Sequence, residues 1–305
     1  MLLSKQSIQT YALDDLGFDD CRVSSPFLNK SVKQKYTEWL RKGHAGDMSY
    51  LERHWPLKEN PNQLLPGVRS AIMLIKSYKN THGRELPQKN KIARYAVGKD
   101  YHLVIAKKLK QLEAFVHEKH LGVKTFIGVD SRPIAERSLA LKAGLGFLGK
   151  NTMVIKPGLG SYFFIGGMLT TLSLEEDTPL NVNCGTCRLC IDSCPTQALN
   201  EDYTMNATQC ISYMTIEQKK ALDLKGLEQT KDWLYGCDIC QEACPYNHGH
   251  APLTDWQDFH PEQGVGFDFF KEREDSDELG PISKKTPLYR SRKLVKQHWS
   301  ILKNK

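Results

Sequence analysis

Eight of the nine cysteines lie between Cys184 and Cys244, seven of them in two runs. The first reads Cys184-x2-Cys187-x2-Cys190-x3-Cys194-Pro195. The second, Cys237-x2-Cys240-x3-Cys244-Pro245, is one thiol short, and Cys210, 27 residues ahead of it, can supply the missing ligand. The first run is the bacterial signature for [4Fe–4S] ligation, in which the fourth cysteine serves the other cluster. That rule assigns Cys184, Cys187, Cys190 and Cys244 to one cluster, and Cys194, Cys210, Cys237 and Cys240 to a second. Structural zinc also accepts four cysteines in C-x2-C pairs and stands as the alternative. The strict x2, x2, x3-Pro spacing and its recurrence favour two clusters. Cys21 is remote and reads as a buried free thiol. Clusters move single electrons and seldom define a substrate, and 183 residues precede Cys184. These are expected to build a catalytic domain that the clusters supply.

Of 305 residues, 40% are hydrophobic and 25% charged, enough for an ordinary core. No run of 18 apolar residues exists, so no membrane-spanning helix is expected. The opening MLLSKQSIQTYALDDLGFDDC turns polar and acidic too soon for an export signal, and a cytoplasmic location is expected. Clustered cysteines in that compartment are metal or redox groups more often than disulfides. Eight of the 42 Lys and Arg residues fall in positions 284–305, which hold no acid. The net charge of +7 is therefore a local feature of the C-terminus. With Tyr289 and Trp299 interleaved, this tail suits a polyanion such as nucleic acid, or is a solvated helix with ordinary lysines.

Residues 1–65 read as helical and polar, most clearly in SVKQKYTEWLRK, and a strand is expected from near Val68. Residues 101–120 keep a 3.6-residue apolar period and predict a long amphipathic helix. TFIGVD reads as a strand ending at Asp130, with Pro133 opening the next helix. Residues 152–156 and 161–174 read as strands joined by a PGLG turn. The mixture lacks βαβ regularity, which predicts an α+β fold. Three parts are expected: a catalytic domain over 1–177, the cysteine module over 178–250, and a loop-like extension with the basic tail over 251–305.

The stretches KIARYAVGKDYH, FIGVDSRPIAERSLALKAGLGFLGKNTMVI, NCGTCRLCIDSCPTQAL, QCISYMTIEQ and YGCDICQEACPYN together resemble the epoxyqueuosine reductase family, over roughly residues 10–300. The resemblance implies a nitroreductase-like, cobalamin-binding domain followed by the ferredoxin-like two-cluster module. It implies reduction of epoxyqueuosine to queuosine at the wobble position of tRNA, with loss of water. It implies a tRNA anticodon stem-loop as partner, and an external one-electron donor such as flavodoxin or ferredoxin. Many members continue into a C-terminal helical-repeat domain that holds tRNA. This sequence ends at residue 305, before such a domain, so the basic tail is expected to take part of the phosphate contact. Asp100-Tyr101-His102 begins the D-x-H-x-x-G signature for a histidine on cobalt, but Ile105 replaces the glycine. A cobalamin without a histidine below the metal is expected.

By the same resemblance, Asp130 matches the family's proton donor. Residues alone read it chiefly as an ordinary cap or turn aspartate. Burial beside the corrin is expected to raise its pKa and keep it protonated. Asp100 matches another acidic position of the pocket, to orient substrate or relay a proton, and reads otherwise as a helix-start acid. Arg53, Lys150, Asn151, Ser212 and Gln218 are candidate cofactor contacts. Gly144, Gly146 and Gly149 lack dinucleotide-loop spacing and are expected to let backbone approach the corrin. The alternatives are a corrinoid and iron–sulfur reductase of a small epoxide or organohalide, and a non-catalytic electron-transfer protein.

Overall fold

The structure is a computed structural model that describes residues 3–80, 89–248, 251–276 and 278–303. The start of the N-terminal stretch (1–2) and the end of the basic tail (304–305) lie outside the described residues. Helix α1 (Lys5–Thr10) runs into a π-helical turn over Tyr11–Asp15 and then strand β1 (Asp20–Ser24). Helices α2 (Lys30–Arg41) and α3 (Ser49–Glu59) precede β2 (Ser70–Ser77). A two-residue strand β3 (Lys91–Ile92) leads to the long helix α4 (Tyr101–Lys119) and β4 (Thr125–Gly128). Helix α5 (Glu136–Lys142) is followed by β5 (Phe147–Leu148), β6 (Val154–Ile155) and β7 (Phe163–Thr170). The cysteine region holds α6 (Leu189–Asp192), α7 (Ile211–Ile216), α8 (Leu224–Gln229), β8 (Trp233–Tyr235) and α9 (Ile239–Glu242). Helix α10 (Arg292–Lys303) closes the chain.

The main sheet is antiparallel, in the order β1-β2-β7-β4, as expected of an α+β fold. Strand β2 is buried along all eight residues. Its side chains alternate between two cores, because successive Cβ atoms point to opposite faces. Ile72 and Leu74 meet α4 and the N-terminal segment on one face. Ala71, Met73 and Ile75 meet α5 on the other. Helix α4 lies close against the sheet at Gly166, where a Cβ would come within 3.0 Å of Ile105.

Three expectations are corrected. Residues 1–65 are not helical throughout: β1 pairs with β2 along Asp20↔Ile75 to Ser24↔Ala71, and its buried Cys21 and Val23 are too few to give a pattern in sequence. Residues 152–156 and 161–174 do not form one hairpin. The turn closes through a Lys156↔Gly160 bridge, but β6 pairs with β5 while β7 is taken up by β2 and β4. The helix expected from Pro133 opens at Glu136, after a turn over residues 130–135.

The described residues of 251–303 form short turns and α10, and most of their aromatic and many of their aliphatic side chains are buried. Trp256 and Phe259 enter the core beside α4. Phe267, Phe270, Leu288, Val295 and Trp299 pack with Ile92, Val97, Leu234 and Tyr235. The basic tail is thus half core: Leu294, Val295, His298 and Trp299 face inward, and Lys293 and Lys296 face outward. Truncating Trp299, 3% exposed and stacked on Phe270 at 5.5 Å, removes a large buried side chain. Trp299→Ala is expected to cost about 3–5 kcal/mol, seen as a fall in the thermal midpoint of the cluster-loaded protein. Lys296→Ala, one turn away on the outer face, is expected to stay within about 0.5 kcal/mol of the parent.

Candidate active site

Asp130 follows β4 and adopts a left-handed backbone, φ +49°. Its carboxylate Oδ2 accepts two hydrogen bonds from the start of α4: Tyr101 Oη at 2.7 Å and His102 Nε2 at 2.9 Å. The other ring nitrogen of His102, Nδ1, lies 2.6 Å from Asp100 Oδ1. Asp100 caps α4, accepting the His102 amide at 3.0 Å. Arg290, from the C-terminal segment, donates Nε to Asp100 Oδ2 at 3.3 Å. A chain Asp130–His102–Asp100–Arg290 results, with an imidazole between two carboxylates.

The charge states follow. Burial lowers the basicity of His102, but hydrogen bonds and charge from Asp100 and Asp130 outweigh it and raise its pKa above the ordinary 6.5. Burial pushes Asp130 up, but His102, Tyr101 and Arg137 together hold it below 3.8. Asp100 behaves the same way, with His102 and Arg290 opposing burial. These partners shift Asp130 opposite to the direction expected of burial alone, favouring its carboxylate form, and they favour the protonated form of His102. The Asp130 side chain is 63% exposed, yet surrounding protein desolvates it; it faces an open cleft rather than bulk water.

Other side chains reach the same cleft. Tyr50 of α3 hydrogen-bonds Glu217 beyond α7, and both feel the Asp130 charge. Lys58 of α3 and Arg137 of α5 act on Glu136. Burial pushes the Glu136 carboxyl up to about 8, helped by Asp130. Its Oε1 accepts the Asp130 amide at 2.5 Å. His102, Tyr101, Tyr50, Glu136 and Glu217 were not among the residues singled out in sequence. Only His102 left a trace there, in the Asp-Tyr-His triplet.

The thiols fall into two sets. Cys184, Cys187, Cys190 and Cys244 line one cavity of about 240 Å³. Among the described residues no three of these thiols converge on a single metal ion, as tetrahedral zinc requires, whereas a four-iron cube holds its thiols farther apart. Cys194, Cys210, Cys237 and Cys240 act electrostatically on one another. Cys190 also acts on Cys240, and α6 packs on α9, so the sets are neighbours. Backbone amides point at several sulfurs: Lys150 N to Cys184 and Ala198 N to Cys194, each 3.4 Å, and Ser212 N and Tyr213 N to Cys210. Such N–H groups stabilise thiolate charge and tune a bound cluster. All nine cysteines are free of disulfides, and Cys21 is buried with its thiol pKa pushed up by burial.

The remaining sequence candidates separate. Lys150 and Asn151 line the cavity of the first thiol set, and Asn151 Nδ2 reaches Cys240 O at 3.4 Å. Ser212 meets the second set through its amide. Gln218, at the end of α7, turns its Nε2 to Lys220 O. Arg53 is exposed on α3, between Tyr50 and Lys58 in sequence. At Gly144, Gly146 and Gly149 a Cβ would meet Thr178, Ile155 and Asn151. They admit close protein contacts.

The chain of charges has a defined pH window. The His102 contribution is complete below 6.5 and is lost as pH rises through its raised folded value. Those of Asp100 and Asp130 are complete above 3.8 and are lost as pH falls through their lowered values. His102→Gln is expected to lower the thermal midpoint most between about pH 4 and 6.5, with a smaller difference above that range. A difference independent of pH would contradict this charge assignment.

Comparison with known proteins places the chain. Residues 183–247 match a family described as a 4Fe-4S double cluster binding domain, and residues 58–131 match the epoxyqueuosine reductase QueG family. An epoxyqueuosine reductase of Cyclobacterium marinum is 38% identical over 248 residues, 78% of this chain and 77% of that protein. A crystal structure of an epoxyqueuosine reductase with an epoxyqueuosine-modified tRNA-Tyr stem loop superposes with a TM-score of 0.82, at 28% identity, over 98% of this chain and 80% of that one. A Bacillus subtilis epoxyqueuosine reductase, captured with its catalytic aspartate loop swung out of the active site, gives a TM-score of 0.80 at 27% identity, over 98% and 80% of the two chains. With two four-thiol sites beside a carboxylate-lined cleft, and with relatives of this identity and coverage, the chain belongs to the epoxyqueuosine reductase family.

Proposed function

We propose that this protein reduces epoxyqueuosine in the anticodon loop of tRNA to queuosine, with Asp130 and His102 delivering the proton that releases the epoxide oxygen. The observation that carries this reading is the Tyr101–Asp130–His102 contact at the mouth of an open cleft, in a chain whose relatives are epoxyqueuosine reductases. The net change consumes two electrons and two protons: both C–O bonds of the epoxide break, a C=C bond forms, and the oxygen leaves as water.

The donor set fits the two clusters and a cobalamin. Two sets of four thiols suit two cubanes. The cleft between α3, α7 and the Asp130 turn is walled by Tyr50, Glu217 and Lys58. Both ring nitrogens of His102 are engaged by carboxylates, so this imidazole is not offered as a lower cobalt ligand. Arg53, Ser212 and Gln218 are the proposed cobalamin contacts, while Lys150 and Asn151 are proposed at the cluster side. Bound cobalamin supplies low-potential electrons to the epoxide-bearing ring.

The protein's own share is to position the nucleoside and to move protons. The His102 proton lies on the hydrogen bond to Asp130 Oδ2, and Asp130 passes it to the departing oxygen as negative charge develops there. Tyr101 Oη fixes the same carboxylate oxygen. Asp100, held by Arg290, keeps the imidazole oriented and charged. Electrons from an external donor enter beside Cys187, the exposed ligand of the first set, where Leu189 is 51% exposed.

Lys284, Lys285, Lys293 and Lys296 are exposed on the C-terminal segment and are the proposed phosphate contacts. Deleting residues 284–305 would remove Leu288, Val295 and Trp299 from the core and Arg290 from Asp100, so charge reversal is the cleaner probe. Lys293→Glu with Lys296→Glu is expected to weaken binding of an anticodon stem-loop and to lower the slope of log K against log salt by about 1 per lost contact. Unchanged affinity and slope would remove the tail from the tRNA site. Asp130→Asn is expected to lower kcat on epoxyqueuosine-modified tRNA by about 10²–10⁴-fold, with iron content and tRNA affinity retained; undiminished turnover would sink the proton-delivery role.

A further inference from the structure

Asp130 is the one residue of the cleft that combines a left-handed backbone, φ +49°, with direct contact to both Tyr101 and His102. A non-glycine residue rarely holds that conformation unless its surroundings enforce it. The turn that carries it has few internal restraints. Ile134 N bonds Arg132 O at 2.8 Å, and Ser131 Oγ bonds Val129 O at 3.4 Å. Neither touches Asp130. The Asp130 amide instead donates to Glu136 Oε1 at 2.5 Å, six residues on.

Glu136 is well placed to act as an anchor. It is the first residue of α5, and α5 packs through Leu139 and Ala140 into the core against β2 and β7. Its helix start has Ala135 at the N-cap and no side-chain cap, while the Glu136 carboxyl bonds the Asp130 amide of the loop. Lys58 and Arg137 flank it from α3 and α5, and Asp130 faces it from the turn.

We infer that Glu136 is a positioning residue: by accepting the Asp130 amide it latches the 129–135 turn in the conformation that brings the Asp130 carboxylate onto Tyr101 and His102. The inference rests on the reading of Asp130 as the proton-delivering group. Burial holds the Glu136 carboxyl up to about 8, so near neutrality it takes the amide as a neutral acid. It places no second negative charge beside Asp130. A neutral amide of the same shape can then replace it, which gives the latch a specific test.

The test compares Glu136→Ala, which removes the acceptor, with Glu136→Gln, which keeps a neutral acceptor oxygen, in the cluster-loaded full-length protein. Hydrogen exchange of the 129–135 backbone reads the latch directly, and turnover of epoxyqueuosine-modified tRNA reads its consequence. In Glu136→Ala, exchange at Asp130 is expected to speed up by about 10-fold or more. Its kcat is expected to fall by about 10–100-fold, the scale of a misplaced reacting group, with KM for tRNA within about two-fold. Glu136→Gln is expected to restore slow exchange and most of the lost kcat. Unchanged exchange in Glu136→Ala overturns the latch, whatever Asp130→Asn does. A Gln variant as impaired as the Ala variant also overturns it, since the acid proton and not the accepting oxygen would then matter. Full turnover by Asp130→Asn, by contrast, defeats the reading of Asp130 and leaves the exchange result as the measure of the latch.

Discussion

Asp100 joins three distant parts of the chain. Its amide donates to Lys285 O at 2.6 Å, its Oδ1 accepts both the amide and the ring nitrogen of His102, and its Oδ2 receives Arg290. One buried carboxylate, 4% exposed, thus starts the longest helix, fixes the imidazole and seats the C-terminal segment. A buried charge needs such compensation, because desolvation otherwise expels it or neutralises it. Removing one partner removes part of that compensation, so the active site and the packing of the C-terminal segment depend on each other.

That dependence explains why the protein is built in contact rather than as beads. The tyrosine series from the site to the clusters shows the same economy. Tyr101 meets Tyr95 at 6.1 Å, Tyr95 meets Tyr235 at 6.2 Å, and Tyr235 stands two residues before Cys237. Gly236, with φ +69°, has room for no Cβ against Ala93, and so allows β8 to lie beside β3. The strand pair β3–β8 is the seam between the region that holds Asp130 and the region that holds the thiols.

The charge pattern of the cleft divides the labour between two acids of the same chemistry. Asp130 accepts from Tyr101 and His102 and stays ionised; Glu136 has burial and a nearby anion and is pushed up to about 8. Two environments a few residues apart set opposite protonation states. The ionised group can take and pass a proton. The neutral one can hold the backbone without repelling it.

Much of the cluster chemistry was legible in sequence, because ligand spacing is a local property and sulfur's preference for iron is intrinsic to the residue. The amphipathic helix over 101–119 was legible for the same reason: its period is written in contiguous residues. Asp130 was visible through family likeness and its place after a strand, but not its charge, since that is the balance of burial against partners 28 and 29 positions away. Glu136 gave no local signal and His102 only the Asp-Tyr-His triplet, because each acts through what the fold sets opposite it. The C-terminal segment read as loop and basic tail, yet most of its aromatic side chains are core; they lie along short turns, with no period to reveal them before α10. The sequence determined what the residues could bind. Tertiary contact decided which carboxyl is charged, which backbone is held, and where the two thiol sites meet the cleft, since those are sums over neighbours that only folding assembles.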